Sequence, residues 1–237
     1  MDVAAINLKT SALISGSRVN GPGNRFVIWT QGCSKGCRGC FNPETWDSKK
    51  GFNSGVSSLA RYVLSEVECG ELDGLTLTGG DPLEQPHELL AFFEELESCD
   101  PGLKNLPRGV ILFTGYTMSE IESLAGVDGD AVRRCVCHCD VVVDGRYVES
   151  LRIKDALAGS SNQGFHFSSA PGRGRVRVTE GELRTDQAVE VHVGEGNSIQ
   201  VTGFPDNLRF KGRLRDLGLT LIPHTDPLST GKFSSGK

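Results

Sequence analysis

Four short apolar runs, each leaving into a turn or cysteine motif that contains glycine, constrain the fold of this chain more than any other feature. The runs are Phe26–Trp29, Leu72–Leu77 with its firmest part at Leu75–Leu77, Val110–Phe113 and Val141–Val143. Each reads as a buried strand. Helical patterns lie between several of them. Val56, Leu59, Ala60, Val63, Leu64 and Val67 recur at three and four positions and predict a helix over 56–67. Pro86 suits the first turn of the next helix, whose apolar side is Leu89, Leu90, Phe92, Phe93 and Leu96. Pro101 to Pro107 is a connector. Thr117 with Glu120 has the spacing of a capping box ahead of a short helix carrying Ile121 and Leu124. This alternation predicts a parallel α/β architecture. Ligands in such folds bind at the C-terminal ends of the strands, where the motifs fall. Only four or five repeats are visible in 237 residues. A closed eight-stranded barrel does not fit, and an incomplete parallel (β/α) barrel or open curved sheet is expected.

The flanks read differently. Residues 1–24 are mostly polar and end in the turn-forming Asn20-Gly21-Pro22-Gly23-Asn24. Residues 156–175 are rich in glycine and serine and read as loop. Val189, Val191 and Val193 alternate with Glu190 and His192; after a turn at Gly194–Asn197, Ile199 and Val201 alternate again, predicting a β-hairpin. A short amphipathic segment spans Leu208 to Leu217, and Ser229 to Lys237 reads as a frayed tail.

Charge narrows the function. The net charge is -5, from 25 Lys and Arg against 30 Asp and Glu, so no basic excess points to nucleic acid. No apolar run reaches the length of a membrane span. The N-terminus lacks the basic start, apolar stretch and cleavage site of a secretory signal, so a cytoplasmic protein is expected.

Six of the eight cysteines fall in two tight clusters, Cys33, Cys37, Cys40 and Cys135, Cys137, Cys139; Cys69 and Cys99 stand alone. A disulfide scaffold spreads its cysteines to close loops in small secreted chains. Clustered thiols point instead to a metal or iron–sulfur centre. In Cys33-Ser34-Lys35-Gly36-Cys37-Arg38-Gly39-Cys40, one compact loop can fold three soft ligands around a single cubane. The spacing is not that of a bacterial ferredoxin, and no fourth cysteine follows nearby. A cubane with three protein ligands leaves one iron open to a substrate or cofactor. The alternatives are structural zinc with a fourth ligand from Cys135 to Cys139, or isolated thiols.

Other stretches narrow these alternatives. They are Gly21-Pro22-Gly23-Asn24-Arg25, Gln31-Gly32-Cys33 continuing through Cys40-Phe41-Asn42-Pro43-Glu44-Thr45-Trp46, Thr78-Gly79-Gly80-Asp81-Pro82-Leu83, Phe113-Thr114-Gly115-Tyr116-Thr117, Val143-Asp144-Gly145 and Gly159-Ser160-Ser161-Asn162-Gln163. Alone, most of these are ordinary turns or polar loops. In combination and in order, the chain resembles the radical S-adenosylmethionine superfamily over residues 5–167. It most closely resembles the activating enzymes of anaerobic (class III) ribonucleotide reductase. The resemblance implies a radical core over residues 1–167; residues 168–237 are a C-terminal extension that either forms a second domain or wraps the core.

The resemblance also implies roles. Cys33, Cys37 and Cys40 would bind three irons of a catalytic [4Fe-4S] cluster, whose fourth iron chelates the amino and carboxylate groups of S-adenosylmethionine. Gly79, Gly80 and Asp81 would meet the methionyl amino group through their backbone; the usual family residue at the third place is Glu. Phe41 would lie near the adenine. Thr114, Gly115, Asp144, Ser160, Ser161 and Asn162 would surround the ribose and methionyl parts. An electron from a flavodoxin- or ferredoxin-like donor would cleave the cofactor to methionine and a 5'-deoxyadenosyl radical, which takes hydrogen from a glycine of a partner protein. The resulting expectation is a glycyl radical activase of anaerobic ribonucleotide reductase. Two alternatives stand beside it: a free-standing radical enzyme acting on a peptide or small metabolite, and a non-catalytic zinc or cluster module.

Features outside this plan give weaker expectations. Gly21-Pro22-Gly23 is a turn, or it opens a face for a partner. Arg173, Arg175 and Arg177 form a basic patch for an acidic protein surface, or a solvated strand edge. Cys135-Val136-Cys137-His138-Cys139 on an extended segment would point its thiols one way, toward a second metal site; more simply, they are small buried residues and a single cluster is expected. His87, His166, His192 and His224 have no convincing partners in the sequence, and none is assigned as a base.

Overall fold

A computed structural model describes residues 5–70, 72–154, 157–168, 178–184, 188–193 and 199–203. Its elements in chain order are β1 (Asn7–Ser17), β2 (Arg25–Thr30), β3 (Phe52–Gly55), α1 (Val56–Gly70), β4 (Gly74–Gly79) and α2 (Pro86–Cys99). They continue with β5 (Val110–Phe113), α3 (Met118–Ser123), α4 (Gly126–His138), β6 (Val141–Asp144), β7 (Gly164–Phe167), α5 (Glu180–Leu183), β8 (Val189–Val193) and β9 (Ile199–Gly203).

One seven-stranded sheet runs in the order β3-β1-β2-β4-β5-β6-β7. Its four inner strands β2, β4, β5 and β6 are parallel, as their apolar runs predict. Antiparallel β1 and β3 flank one side and β7 the other. The result is an incomplete (β/α) barrel, with β8 and β9 paired as a separate antiparallel hairpin.

Register sorts the side chains. Phe26, Leu75 and Val110 are aligned neighbours, as are Ile28, Leu77, Leu112 and Val142. Successive residues of a strand face opposite sides, so these rows share one face. They pack with Leu59, Val63, Leu89, Phe92, Phe93, Leu96 and Val132 in the main core. Full burial of each such side chain stabilises by about 1.5–3 kcal/mol. The alternate rows, with Trp29, Thr78 and Phe113 at their C-terminal ends, face the interior of the half-barrel. The Thr117–Glu120 capping box forms as its spacing requires.

The sequence patterns announce neither the short β3 and α5 nor three elements that depart from an expectation. Residues 1–24 hold the 11-residue strand β1, whose alternation is broken by register shifts at Thr10/Ala12 and Ser15/Ser17. Part of the glycine-rich loop expected over 156–175 is β7, an edge strand of only four residues. The 135–139 segment is not extended: Cys135 and Cys137 lie on α4, and Cys139 caps it. Cys135 and Cys139 are buried in the helix-side core and Cys137 is exposed. The thiols therefore do not converge.

Within its turn, Gly21 has its hydrogen where a side chain would point into the fold. Its φ is +131°, and a Cβ there would stand 2.7 Å from the Ile111 Cδ1 methyl and 2.9 Å from Arg25 Cδ. The Gly194–Asn197 turn, Arg173, Arg175 and Arg177, the Leu208–Leu217 segment, His224 and the tail lie outside the described residues. Among the described residues no helix is long and apolar enough to cross a membrane.

Candidate active site

An open cavity lies at the C-terminal ends of the parallel strands. Its wall includes Cys33, Cys37 and Cys40 from the loop after β2, Gly79 and Gly80 at the end of β4, and Thr114 and Gly115 after β5. Phe41, Trp46 and Tyr147 add aromatic surface, and Trp29, Thr78 and Phe113 rise from the half-barrel interior.

The cysteine loop is anchored at its root. Gly32 N–H donates to Thr45 O at 2.7 Å and Cys33 N–H to Trp46 O at 3.1 Å. From the other side, Gly80 N–H reaches Thr30 O at 2.8 Å and Asp81 N–H reaches Gly32 O at 2.9 Å. Glycine is required here by close approach. A Cβ on Gly80 would stand 2.2 Å from Gly32 O, and one on Gly79 would be 2.7 Å from the Thr30 backbone. The wall beside the cysteines is consequently bare main chain.

Burial pushes the Cys33 thiol up to about 11, with the Asp81 and Glu84 charges adding to the rise. Burial also raises Cys40. Both are thiols at neutral pH in the metal-free chain, so metal binding there must release protons. Lys35 projects into the same wall. Burial alone would pull its ammonium down, but hydrogen bonds to Glu84 and Tyr116 and the nearby Asp81 and Glu84 charges hold it above its ordinary value.

Not every expected residue faces the cavity. Asp81 is buried behind it, accepting from Leu83 N–H, Thr114 Oγ1 and Gly115 N–H. Asp144 accepts from Met118 N–H at 2.8 Å and Gly164 N–H at 3.0 Å, tying two loops together. Ser160, Ser161 and Asn162 also stand off the wall. Ser160 accepts Val148 N–H, Ser161 N–H donates to Leu151 O, and Asn162 donates to Arg146 O. The loop instead presents Gly159 and Gln163. Gln163 Oε1 accepts from Gly159 N–H at 2.9 Å and Ser160 N–H at 3.1 Å, while its amide donates to Gly145 O at 2.8 Å.

Sequence reasoning also passed over Lys35, Glu84 and Tyr147, which sit inside or beside the quoted motifs, and Asn20. Asn20 donates to Ser17 Oγ and, at 2.7 Å, to Thr202 Oγ1 on β9. Glu190 on β8 accepts from Ser17 Oγ and Arg18 N–H. The hairpin is thereby docked on the β1–β2 turn, and its Gly203 reaches the cavity wall. Three histidines have partners: His87 Nε2 lies 2.7 Å from Asp128 Oδ1, His138 Nδ1 3.3 Å from Glu97 Oε1 and His166 Nε2 3.0 Å from Asp144 Oδ1.

The donor set suits an iron–sulfur centre. Three soft thiols of one loop border a space also walled by main chain and aromatic rings. Cys135 and Cys139 lie on the opposite, helix-packed face of the sheet, so they do not supply the fourth ligand of a zinc site.

The family described as a 4Fe-4S single cluster domain matches residues 19–166. The chain belongs to that family. It is a radical S-adenosylmethionine oxidoreductase related to the anaerobic ribonucleotide reductase activases. The anaerobic ribonucleoside-triphosphate reductase-activating protein of Enterobacteria phage T4 is 33% identical over 147 residues, 61% of this chain and 85% of that protein. Its counterpart in Salmonella typhi is 30% identical over 156 residues, 62% of this chain and 91% of that one. That of Escherichia coli K12 is 28% identical over 153 residues, with 62% and 91% covered. Among solved structures, QueE from Escherichia coli aligns over 48% of this chain and 56% of its own, at 16% identity and a TM-score of 0.35, too remote to bear on the fold.

Proposed function

We propose that Cys33, Cys37 and Cys40 hold three irons of a [4Fe-4S] cluster whose fourth iron binds S-adenosylmethionine, and that the chain places a glycyl radical on an anaerobic ribonucleotide reductase. When bound and reduced, that pair supplies one-electron cleavage of the sulfonium to methionine and a 5'-deoxyadenosyl radical, which takes a hydrogen atom from a glycine Cα of the partner. One observation carries the reading: all three cysteines of the loop border the same cavity as the bare main chain of Gly79 and Gly80.

The residues divide the work. The three thiols give up their protons to become ligands. Gly79 and Gly80 offer main-chain polar groups to the methionyl end. Phe41, edge-on to Tyr147 with ring centroids 5.6 Å apart, forms an aromatic wall for the adenine. Trp29 and Phe113 keep water from the reacting centre. Thr114 and Gly115 border the remaining cofactor, with Asp81 fixing both from behind; Gln163 does the same for Gly159 and Gly145. Asp144, Ser160, Ser161 and Asn162 act by holding loops. The exposed turn at Gly36, Arg38 and Gly39 gives a flavodoxin- or ferredoxin-like donor access to the cluster loop.

The docked hairpin favours a second reading, a free-standing enzyme for a peptide or small metabolite, because Gly203 narrows the cavity from the side of the C-terminal extension. Product analysis separates the two. Reconstituted, reduced protein mixed with S-adenosylmethionine should release 5'-deoxyadenosine. A glycyl radical signal should then appear only with the reductase partner. An intact, reduced cluster that yields no 5'-deoxyadenosine defeats both readings.

A further inference from the structure

Lys35 lies between the first two cysteines, and its side chain is 7% exposed. It is the only Lys, Arg, Asp or Glu among the described residues that line the cavity. Its ammonium is fixed from three directions. Nζ is 3.0 Å from Glu84 Oε1 and 3.9 Å from Asp81 Oδ2. It also sits 3.4 Å from the centroid of the Tyr116 ring, a close cation–π contact. Glu84 grips the same stretch of loop through its main chain, accepting Ser34 N–H at 2.9 Å and Ser34 Oγ at 2.5 Å. The stem is confined as well, with Lys35 Cγ only 2.9 Å from where a Cβ on Gly115 would be.

A latch alone would need only the Glu84–Ser34 contacts. The structure adds a buried cation, carried by a residue between Cys33 and Cys37 and held by two carboxylates and an aromatic ring. A cluster held by three thiolates gains one negative charge on reduction. A fixed ammonium beside it favours that change, and the two carboxylates oppose it.

We infer that Lys35 is a positioning residue that tunes the cluster electrostatically: its locked ammonium offsets Asp81 and Glu84 and makes the reduced state accessible. The inference rests on the cluster reading above.

The test is an anaerobic titration of the reconstituted full chain with dithionite and a viologen mediator, with reduced cluster followed by electron paramagnetic resonance. Iron content and circular dichroism are matched among variants. Lys35→Met should lower the reduced-to-oxidised ratio at a fixed poise by about tenfold, because it leaves two carboxylates uncompensated. Glu84→Gln should raise that ratio, because it removes a negative charge while breaking the same pair. Lys35→Arg should stay near wild type. A purely mechanical latch would send Lys35→Met and Glu84→Gln in the same direction. That result, or no shift in either, overturns the inference while leaving the cluster intact. A wild-type chain that takes up no iron overturns the inference together with the reading beneath it.

Discussion

The Asp81 carboxylate accepts the Thr114 hydroxyl at 2.9 Å, so one buried ion joins the turn after β4 to the turn after β5. Burial pushes Asp81 up to about 6, against the opposing pull of Lys35, Gly115, Thr114 and Leu83. An unfolded aspartate titrates near about 3.9. Between those values the folded chain binds more protons than the unfolded one. Stability should therefore grow as pH falls from about 6 toward 4, and be lost as pH rises through about 6. The urea midpoint of the cluster-free chain should be higher at pH 5 than at pH 7, and Asp81→Asn should flatten that difference. Equal pH dependence in wild type and variant would show that Asp81 is not the responsible group.

Gly80 tests the packing under the cysteine loop. An alanine there must displace Gly32 O, which lies 2.2 Å from the new methyl position, and Gly32 adjoins Cys33. Overpacking of this kind costs about 1–3 kcal/mol. Gly80→Ala should lower both the melting temperature and the iron retained after reconstitution. Gly181 is the control, because a Cβ there meets nothing within 4 Å. Gly181→Ala should leave iron retention unchanged, with stability equal or slightly higher.

The cysteines separate one cluster from two. Cys33→Ala, Cys37→Ala and Cys40→Ala should each abolish 5'-deoxyadenosine formation, since each removes one of three protein ligands. Cys137 is exposed on α4, away from the cavity. Cys137→Ala should keep about four irons per chain, the content of one [4Fe-4S] centre. A wild-type content near eight that falls on this substitution would place a second cluster at α4.

How much of this was legible follows from what each segment buries. β2, β5 and β6 carry apolar side chains on both faces, so Phe26–Trp29 and Val110–Phe113 stood out without any partner being known. The cavity motifs were legible because the turn after each strand carries glycine or cysteine. β1 was hidden because Thr10, Ser11 and Ser17 are buried polar residues in a strand with two irregularities. α4 was hidden by Gly126 and Gly129 near its start and by cysteines at alternate positions, which mimic a strand. The sites of Asp81 and Asp144 were found but their direction was not. Whether a carboxylate after a strand points into a cavity or behind it depends on loops far along the chain. Lys35 was hidden in plain sight, because its partner Glu84 is distant in sequence.

Arg25 illustrates the same dependence on distant chain and can be tested through stability alone. It is fully buried at the start of β2. Nε donates to Thr76 Oγ1 at 2.6 Å, Nη1 to Pro22 O at 3.0 Å, and Nη2 to Leu75 O at 2.6 Å and Gly109 O at 2.8 Å. Burial pulls the guanidinium down to about 9, with Asp140 and Asp73 partly opposing the fall, so it remains charged at neutral pH. One planar group thus fastens the β1–β2 turn, β4 and the loop before β5. A lysine would keep the charge but could not place donors along all four directions, leaving a buried cation poorly satisfied. Arg25→Lys should therefore destabilise the chain by about 3 kcal/mol or more, read as a lower urea midpoint. Arg25→Met removes the desolvated charge along with its hydrogen bonds, and should cost less than Arg25→Lys. If Lys were the better tolerated of the two, charge rather than hydrogen-bond geometry would be what this site requires.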